Sequence, residues 1–301
     1  MDMNWLEDFV CFARTLSFTR AAEERNVTQS AFSRRIQSLE LWTGMALVDR
    51  KSYPARLSPA GEDFLPIAKS VLLQLLRTRD DLRARDQGGM DFFSFAAPHS
   101  VSIHHLMPLL HQLEHEVPSI RTRVMSDNLH ACCQYLAEGA CEFLMCYRHS
   151  HIPLTLDEQR FARIDVGRED LIAVCARDAS GAGPLWQLPG TRKQPIPYLA
   201  YAPGSFLGAV MEHELKGRHP GLSVRHFDAF AEALKSLALQ GAGLAWLPRA
   251  SVERELAAGE LVCAGNADWT PTLTLSLFAE PDRLSRRGQR TWQFFAQMAS
   301  R

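Results

Sequence analysis

Apolar residues recur at helical spacing through residues 4–16. Trp5, Leu6, Phe9, Val10, Phe12, Ala13 and Leu16 form one stripe, with Glu7, Asp8 and Arg14 outside it, the pattern of an amphipathic helix packed on the neighbouring segment. A short second helix comes next. Ser17 or Thr19 can cap it, since a side-chain oxygen there satisfies an orphan backbone N–H, and Ala21-Ala22 permits close packing. Asn26-Val27-Thr28 breaks the pattern, Val27 plugging the turn and Thr28 capping a third helix that begins near Gln29. On that helix Phe32, Ile36 and Leu39 stand at i, i+4 and i+7, while Gln29, Ser30, Ser33, Arg34 and Gln37 turn outward. Residues 45–50 and 56–58 read as a short hairpin about a turn through Ser52-Tyr53-Pro54-Ala55.

From Ser58, a cap, the pattern becomes one long helix with Leu65, Ala68, Leu72, Leu75, Leu76 and Leu82 along one edge. That edge is too apolar for a lone exposed helix and suits antiparallel pairing with a second subunit. Pro66 falls in the first or second turn, where its missing N–H costs little, and Gly88-Gly89 ends the helix as a hinge. Beyond Phe92 the texture changes. Strand patterns at 92–98, 118–125, 141–147, 170–176, 197–203 and 222–229 alternate with helical ones at 104–116, 129–139, 208–219 and 231–241, which predicts parallel α/β units. The second unit starts near Ile164, and the tail, a strand from Thr272 and a helix over 286–299, returns to the first.

Composition adds bounds. The chain has 301 residues, 46% hydrophobic and 22% charged, enough for about two globular domains. A net charge of −1 supplies no global basic field, so any nucleic-acid contact is local. Residues 1–58 carry eight Lys or Arg against seven Asp or Glu, so such a module binds weakly or as a dimer. Seven cysteines without a repeated CxxC spacing read as reduced, mostly buried thiols of a cytoplasmic protein. The acidic MDMNWLEDFV start lacks the basic flank of a signal peptide, and no apolar run reaches membrane-span length.

A short helix with an outward Gln, Ser and Arg face is chemically suited to the major groove: Arg donates twice to guanine and Gln pairs with adenine. A solvated face has the same composition. The order helix, turn, helix, hairpin favours the groove, with Arg50, Lys51 and Arg56 clustered where a wing meets phosphates.

The string FVCFARTLSFTRAAEERNVTQSAFSRRIQSLELWTGMALVDR, followed by LSPAGEDFL, resembles the N-terminal winged helix-turn-helix of LysR-type transcriptional regulators. The small-residue pair, the Gln-Ser helix start, the Ile-x-x-Leu-Glu turn and the Leu-x-x-Arg wing all match; Trp42-Thr43-Gly44 and Val48-Asp49 are minor departures. The resemblance implies an α/β protein with a winged helix-turn-helix over 1–58, a linker and dimerisation helix with its hinge over 59–89, and a two-lobed, periplasmic-binding-protein-like effector domain over 90–301. Lobe I takes in about 90–163 plus 268–301, and lobe II about 164–267. It implies a DNA-binding regulator without cofactor, metal or catalytic residues, which pairs through residues 59–87 as a homodimer and assembles as a homotetramer. The partners are a double-stranded DNA operator and either a small-molecule effector, a carboxylate or other anion, or an oxidant; no membrane is involved. The DNA-contacting set is Thr28, Gln29, Ser30, Ser33, Arg34, Arg35, Gln37, Arg50, Lys51 and Arg56.

Effectors of such folds lie between the lobes, near strand C-termini and helix N-termini. Ser100 and Ser102 follow the domain's first strand and could receive an anion, with His99 as a switchable charge and Val101 between them; ordinary capping is the plainer role for the hydroxyls. Across the cleft the expected partners are Asp127, Asn128, Tyr201, Ser205, Phe206, Gly243 and Trp246.

Three further motifs carry sharper chemistry. His111, Glu114 and His115 spell HxxEH, but no third ligand follows at a suitable distance and Leu109, Leu110 and Leu113 mark a buried helix. Cys132-Cys133 sit in apolar surroundings, and alternation along CEFLMC sets Cys141 and Cys146 on opposite faces, so core packing outweighs redox sensing. QSAFSRRI, AAPHSVS and GAGLAWLP are similar to a hypochlorite-responsive subgroup that uses methionine oxidation, yet Leu207 and Phe230 stand where that subgroup has methionine. The competing class is a small-molecule binding protein or enzyme whose N-terminal helices serve only for dimerisation.

Overall fold

In the computed structural model, residues 2–50, 55–86, 92–116, 120–157, 159–179, 181, 183–218 and 220–299 are described. Lys51, the turn at 52–54, Gly88-Gly89 and residues 118–119 lie outside them. The chain divides into two compact units, Met1–Gly89 and Met90–Arg301.

The first unit follows its hydrophobic stripes. Helices α1 (Met3–Thr15), α2 (Phe18–Glu24) and α3 (Gln29–Thr43) surround a core of Leu6, Phe9, Phe12, Phe32, Ile36 and Leu39. Each helix begins on a side-chain cap: Asp2, Ser17 and Thr28 accept from the amides of Asn4, Arg20 and Ala31. Leu16 and Asn26 take left-handed φ values of 48° and 54° to turn the chain between helices. Strands β1 (Val48–Asp49) and β2 (Arg56–Leu57) pair antiparallel as the wing. Helix α4 (Pro59–Asp86) then starts on Ser58, whose hydroxyl accepts from Gly61 N at 3.0 Å and donates to Ala46 O at 2.6 Å. Ala68 and Leu72 seat it on the core, whereas Ile67 and Leu75 remain exposed; the side chain of Leu82 lies outside the described residues.

In the second unit β3 (Phe92–Pro98) runs directly into a helix. Its first turn is α5 (His99–Val101), a π segment covers Ser102–Leu106, and α6 (Met107–Glu116) completes it. His99 to Ser102 therefore form the helix start, not a lead-in to a helix at 104. Strands β4 (Arg121–Asp127) and β5 (Phe143–Arg148) lie parallel to β3 on either side, with α7 (Leu129–Ala137) between them in sequence.

The parallel expectation holds for β3 with β4 and β5 and for one pair in the second lobe, but not for the strands that join them. Strand β6 (Ala162–Ala176) crosses from one lobe to the other. Its 162–170 portion pairs antiparallel with β11 (Thr272–Ala279), and its 171–176 portion pairs antiparallel with β9 (Ala245–Pro248) and β10 (Leu261–Cys263). The second lobe's parallel pair is β7 (Ile196–Tyr201) with β8 (Leu222–Asp228). Its helices are α8 (Phe206–Leu215), α9 (Ala231–Leu239) and α10 (Arg249–Ala258); α10 and β10 have no counterpart in the sequence reading. Strand β11 lies between β5 and β6 and antiparallel to both, because the chain re-enters the first lobe from the far end of its sheet. Helix α11 (Arg286–Ala299) closes that lobe, burying Phe295.

The cysteines depart from strict alternation. Cys141 precedes β5, so the pleat does not govern it, and it shares one cluster with Cys146, Cys132 and Cys133. Among the described residues no helix is long and apolar enough to cross a membrane.

Candidate functional site

Helix α3 presents two opposed faces. Phe32, Ile36 and Leu39 are fully buried; Gln29, Ser30, Arg34 and Gln37 are exposed and Ser33 half-exposed. At about 100° per residue these five share one side of the helix. Thr28 sits at its mouth, its hydroxyl occupied by the cap to Ala31 N at 3.3 Å.

Arg35 points elsewhere. Its Nη1 lies 3.3 Å from Asp8 Oδ2, and Asp8, fully buried, also accepts from Arg25 Nε at 2.7 Å. Arg25 reaches Glu7 as well. Arg35 is thus part of a half-buried ion cluster centred on Asp8 that ties α3 to α1 rather than a member of the exposed face.

Arg50 is also engaged, with Nη2 2.8 Å from Glu40 Oε2 and the guanidinium 5.6 Å above the Phe18 ring. Arg56 is exposed on β2. Lys51 lies outside the described residues.

The second unit holds a cavity of about 780 Å³ between its lobes. Six of the sequence-predicted residues line it: His99, Ser100, Asp127, Asn128, Ser205 and Phe206. Five do not. Val101 is fully buried, and Ser102 accepts from Ser126 Oγ at 2.9 Å inside the wall. Tyr201 is buried with an unpartnered hydroxyl, and burial holds its ionisation far above the ordinary range. Gly243 lets β7 approach, since a Cβ there would stand 2.7 Å from Pro197 O. Trp246 donates from Nε1 to Trp269 O at 2.8 Å within the core.

Sequence reasoning missed Ile103, Tyr147, Leu154 and Glu232 on the cavity wall. It also missed the histidine pairs beside it. His104 Nε2 lies 2.8 Å from Glu232 Oε1, and His105 Nε2 lies 2.7 Å from Glu169 Oε2 and 2.9 Å from Tyr147 Oη. The π segment makes this possible by presenting two consecutive histidines to different elements, α9 and β6. Burial and the Glu169 charge push the Tyr147 phenol far up, so it stays neutral. These partners stand 128 and 64 residues apart, and no local pattern announces them.

His111 and His115 meet edge to face on the exposed side of α6 with ring centroids 5.0 Å apart. Among the described residues no group of three potential ligands is arranged to hold a metal ion.

Two family models cover nearly all of the chain. Residues 3–62 match the bacterial regulatory helix-turn-helix protein, lysR family, and residues 91–300 match the LysR substrate binding domain. The chain belongs to the LysR family. It is a DNA-binding transcriptional regulator with an effector-binding domain. It is 30% identical to the HTH-type transcriptional regulator YjiE of Escherichia coli (strain K12), over 97% of this chain and 93% of that one. Among solved structures it is similar to Vibrio fischeri DarR in complex with DNA, at 28% identity and a TM-score of 0.63 over 99% of both chains. The full-length hypochlorite-specific LysR-type regulator HypT of Salmonella typhimurium matches at 28% identity and a TM-score of 0.60, over 100% of this chain and 99% of that one.

Proposed function

We propose that α3 enters the major groove of an operator, with Gln29, Ser30, Ser33, Arg34 and Gln37 toward the base edges and Arg56, Lys51 and the Arg50 backbone near phosphates. The observation that carries this is the exposed polar face of α3 standing directly over the Phe32, Ile36 and Leu39 core stripe. Arg35 acts by holding α3 against α1. The chain works in the cytoplasm, without catalysis, as a dimer paired through residues 59–87, and two dimers form the tetramer; the exposed Ile67 and Leu75 on α4 support the pairing.

A small molecule seated in the cleft shifts the closure of the two lobes and so the spacing of the paired α3 helices. An oxidant signal is the second reading, supported by the similarity to HypT. It is weakened by the cavity wall, where Leu207 and Phe230 are present and no methionine lines the cavity among the described residues.

The test is a gel-shift titration of the full chain against fragments of its own promoter region at rising salt. Binding should be tight at low salt and fall steeply as counterions compete for the phosphates. Absence of binding to any fragment at low salt would favour the competing class, in which the N-terminal helices only dimerise a binding protein.

A further inference from the structure

The chemistry of the cleft wall restricts what it can hold. None of the described lining residues is Lys or Arg, while two, Asp127 and Glu232, are acidic. Both carboxylates are already satisfied by the protein. Asp127 accepts from Asn128 N at 2.7 Å and Nδ2 at 3.0 Å through one oxygen, and from Tyr135 Oη at 2.8 Å through the other. Glu232 faces His104 at 2.8 Å and Lys235 Nζ at 2.6 Å. Lys235 also bonds Ser251 O at 2.9 Å and lies 3.6 Å from Glu255.

An anion entering this space would meet two like charges and, of basic side chains, only the imidazoles of His99 and His130, and an unpaired buried charge is expensive. An ammonium group would have to share a carboxylate already engaged by Tyr135 or by His104 and Lys235. Much of what the wall leaves uncovered is apolar: Ile103 and Phe230 stand in it with 54% and 51% of their surface exposed, alongside Phe206 and Leu207. His99 packs edge-on to Phe230 at 4.9 Å, and it stands beside Ser100 as the polar corner of this apolar wall.

Building on the reading of the cleft as the effector site, we propose that it takes an uncharged, mainly apolar molecule of aromatic or alicyclic class, with one hydrogen-bonding end received at Ser100 and His99. The ligand covers Ile103 and Phe230, and its polar end replaces water at the helix start.

Three probes with one body and different ends test this: 3-phenylpropanol, 3-phenylpropionate and 3-phenylpropylamine, titrated into the full chain at about pH 8, where the acid and the amine are charged. Thermal shift and calorimetry give affinities, because a ligand selective for the folded state raises its stability. The alcohol should bind about tenfold or more tighter than either charged probe. Phe230→Asp should abolish its shift. Phe230 occupies the N-cap of α9 with φ −102° and ψ 122°, a position where Asp is favoured, so the fold survives. Ile103→Ala, at an exposed site, should weaken the alcohol severalfold.

A carboxylate or amine that binds as tightly as the alcohol, and loses its shift in Phe230→Asp, would overturn the uncharged class and leave the cleft as the effector site. An alcohol shift that survives both substitutions would place binding elsewhere and overturn the proposal. No shift from any of the three would sink the small-molecule reading of the cleft together with it.

Discussion

Glu40 and Arg50 lock the wing to α3. Arg50 Nη2 lies 2.8 Å from Glu40 Oε2, while Glu40 Oε1 accepts from Leu47 N at 3.0 Å and Val48 N at 3.1 Å. One carboxylate at the end of α3 therefore sets the start of β1. Glu40→Ala strips two amides of their acceptor and should cost about 2 to 3 kcal/mol. Glu40→Gln keeps an acceptor oxygen and loses only a half-exposed ion pair, a cost of about 1 kcal/mol or less. Denaturant unfolding followed through the N-terminal unit separates the two; equal losses would contradict this division of labour.

Gly61 occupies the first turn of α4 because that turn touches the wing. A Cβ at 61 would overlap the carbonyl oxygen of Leu47, a backbone atom that cannot rotate away. Alanine gains about 1 kcal/mol over glycine inside a helix, but forcing the contact costs about 1 to 3 kcal/mol. Gly61→Ala should come out destabilising in the same unfolding assay, and a rise in stability would show that the wing and α4 separate freely.

The elements of the first unit were legible because each has both a stripe and a stop. Thr28 caps α3 and Phe32, Ile36 and Leu39 face the core as their spacing implies. What spacing could not show is that Arg34 and Arg35, adjacent in sequence, part company: the partner of Arg35 is Asp8, 27 residues earlier. In the second unit β6 was hard to read in full. Its 15 residues begin with alternating half-exposed positions and end in a continuous buried run, so the buried end announced itself and the crossing between lobes did not. The cleft was half legible for a related reason. His99 and Ser100 sit on a predictable strand-to-helix junction, whereas Glu232 and Tyr147 reach the cavity through long-range packing. Tyr201 and Trp246 fall on buried strand positions that pattern alone does not separate from cavity walls.

His149 should make the effector-binding domain sensitive to acid. Burial pushes its imidazole below the ordinary value of 6.5. Glu214, 3.3 Å away, pulls it back, and the neighbouring His213 and His151 push it further down. A base held below its unfolded value contributes stability that is complete above pH 6.5 and is lost as the pH falls through the lowered value. The melting temperature should therefore drop as the pH falls below about 6.5, and His149→Gln should flatten that drop. An unchanged slope in the variant would assign the acid sensitivity to other groups.

Thiol reactivity should split by position. Burial raises Cys132 to about 12 and Cys133 to about 11, whereas Cys263 is exposed. At about pH 8 an alkylating probe should modify Cys263 and spare the pair until denaturant is added, since the thiolate is the reactive form. Rapid native labelling of Cys133, which lines the cleft, would reopen thiol oxidation as a signal.

The most direct test compares Arg34→Ala with Arg35→Ala on operator DNA, measuring affinity as a function of salt alongside unfolding. Arg34→Ala should weaken operator binding by about 1 to 3 kcal/mol with stability unchanged. Arg35→Ala should instead lower stability, because the buried Asp8 charge is left with one partner fewer. Operator affinity untouched by Arg34→Ala, at every salt concentration where the parent chain binds, would contradict the assignment of α3 as the helix that reads DNA.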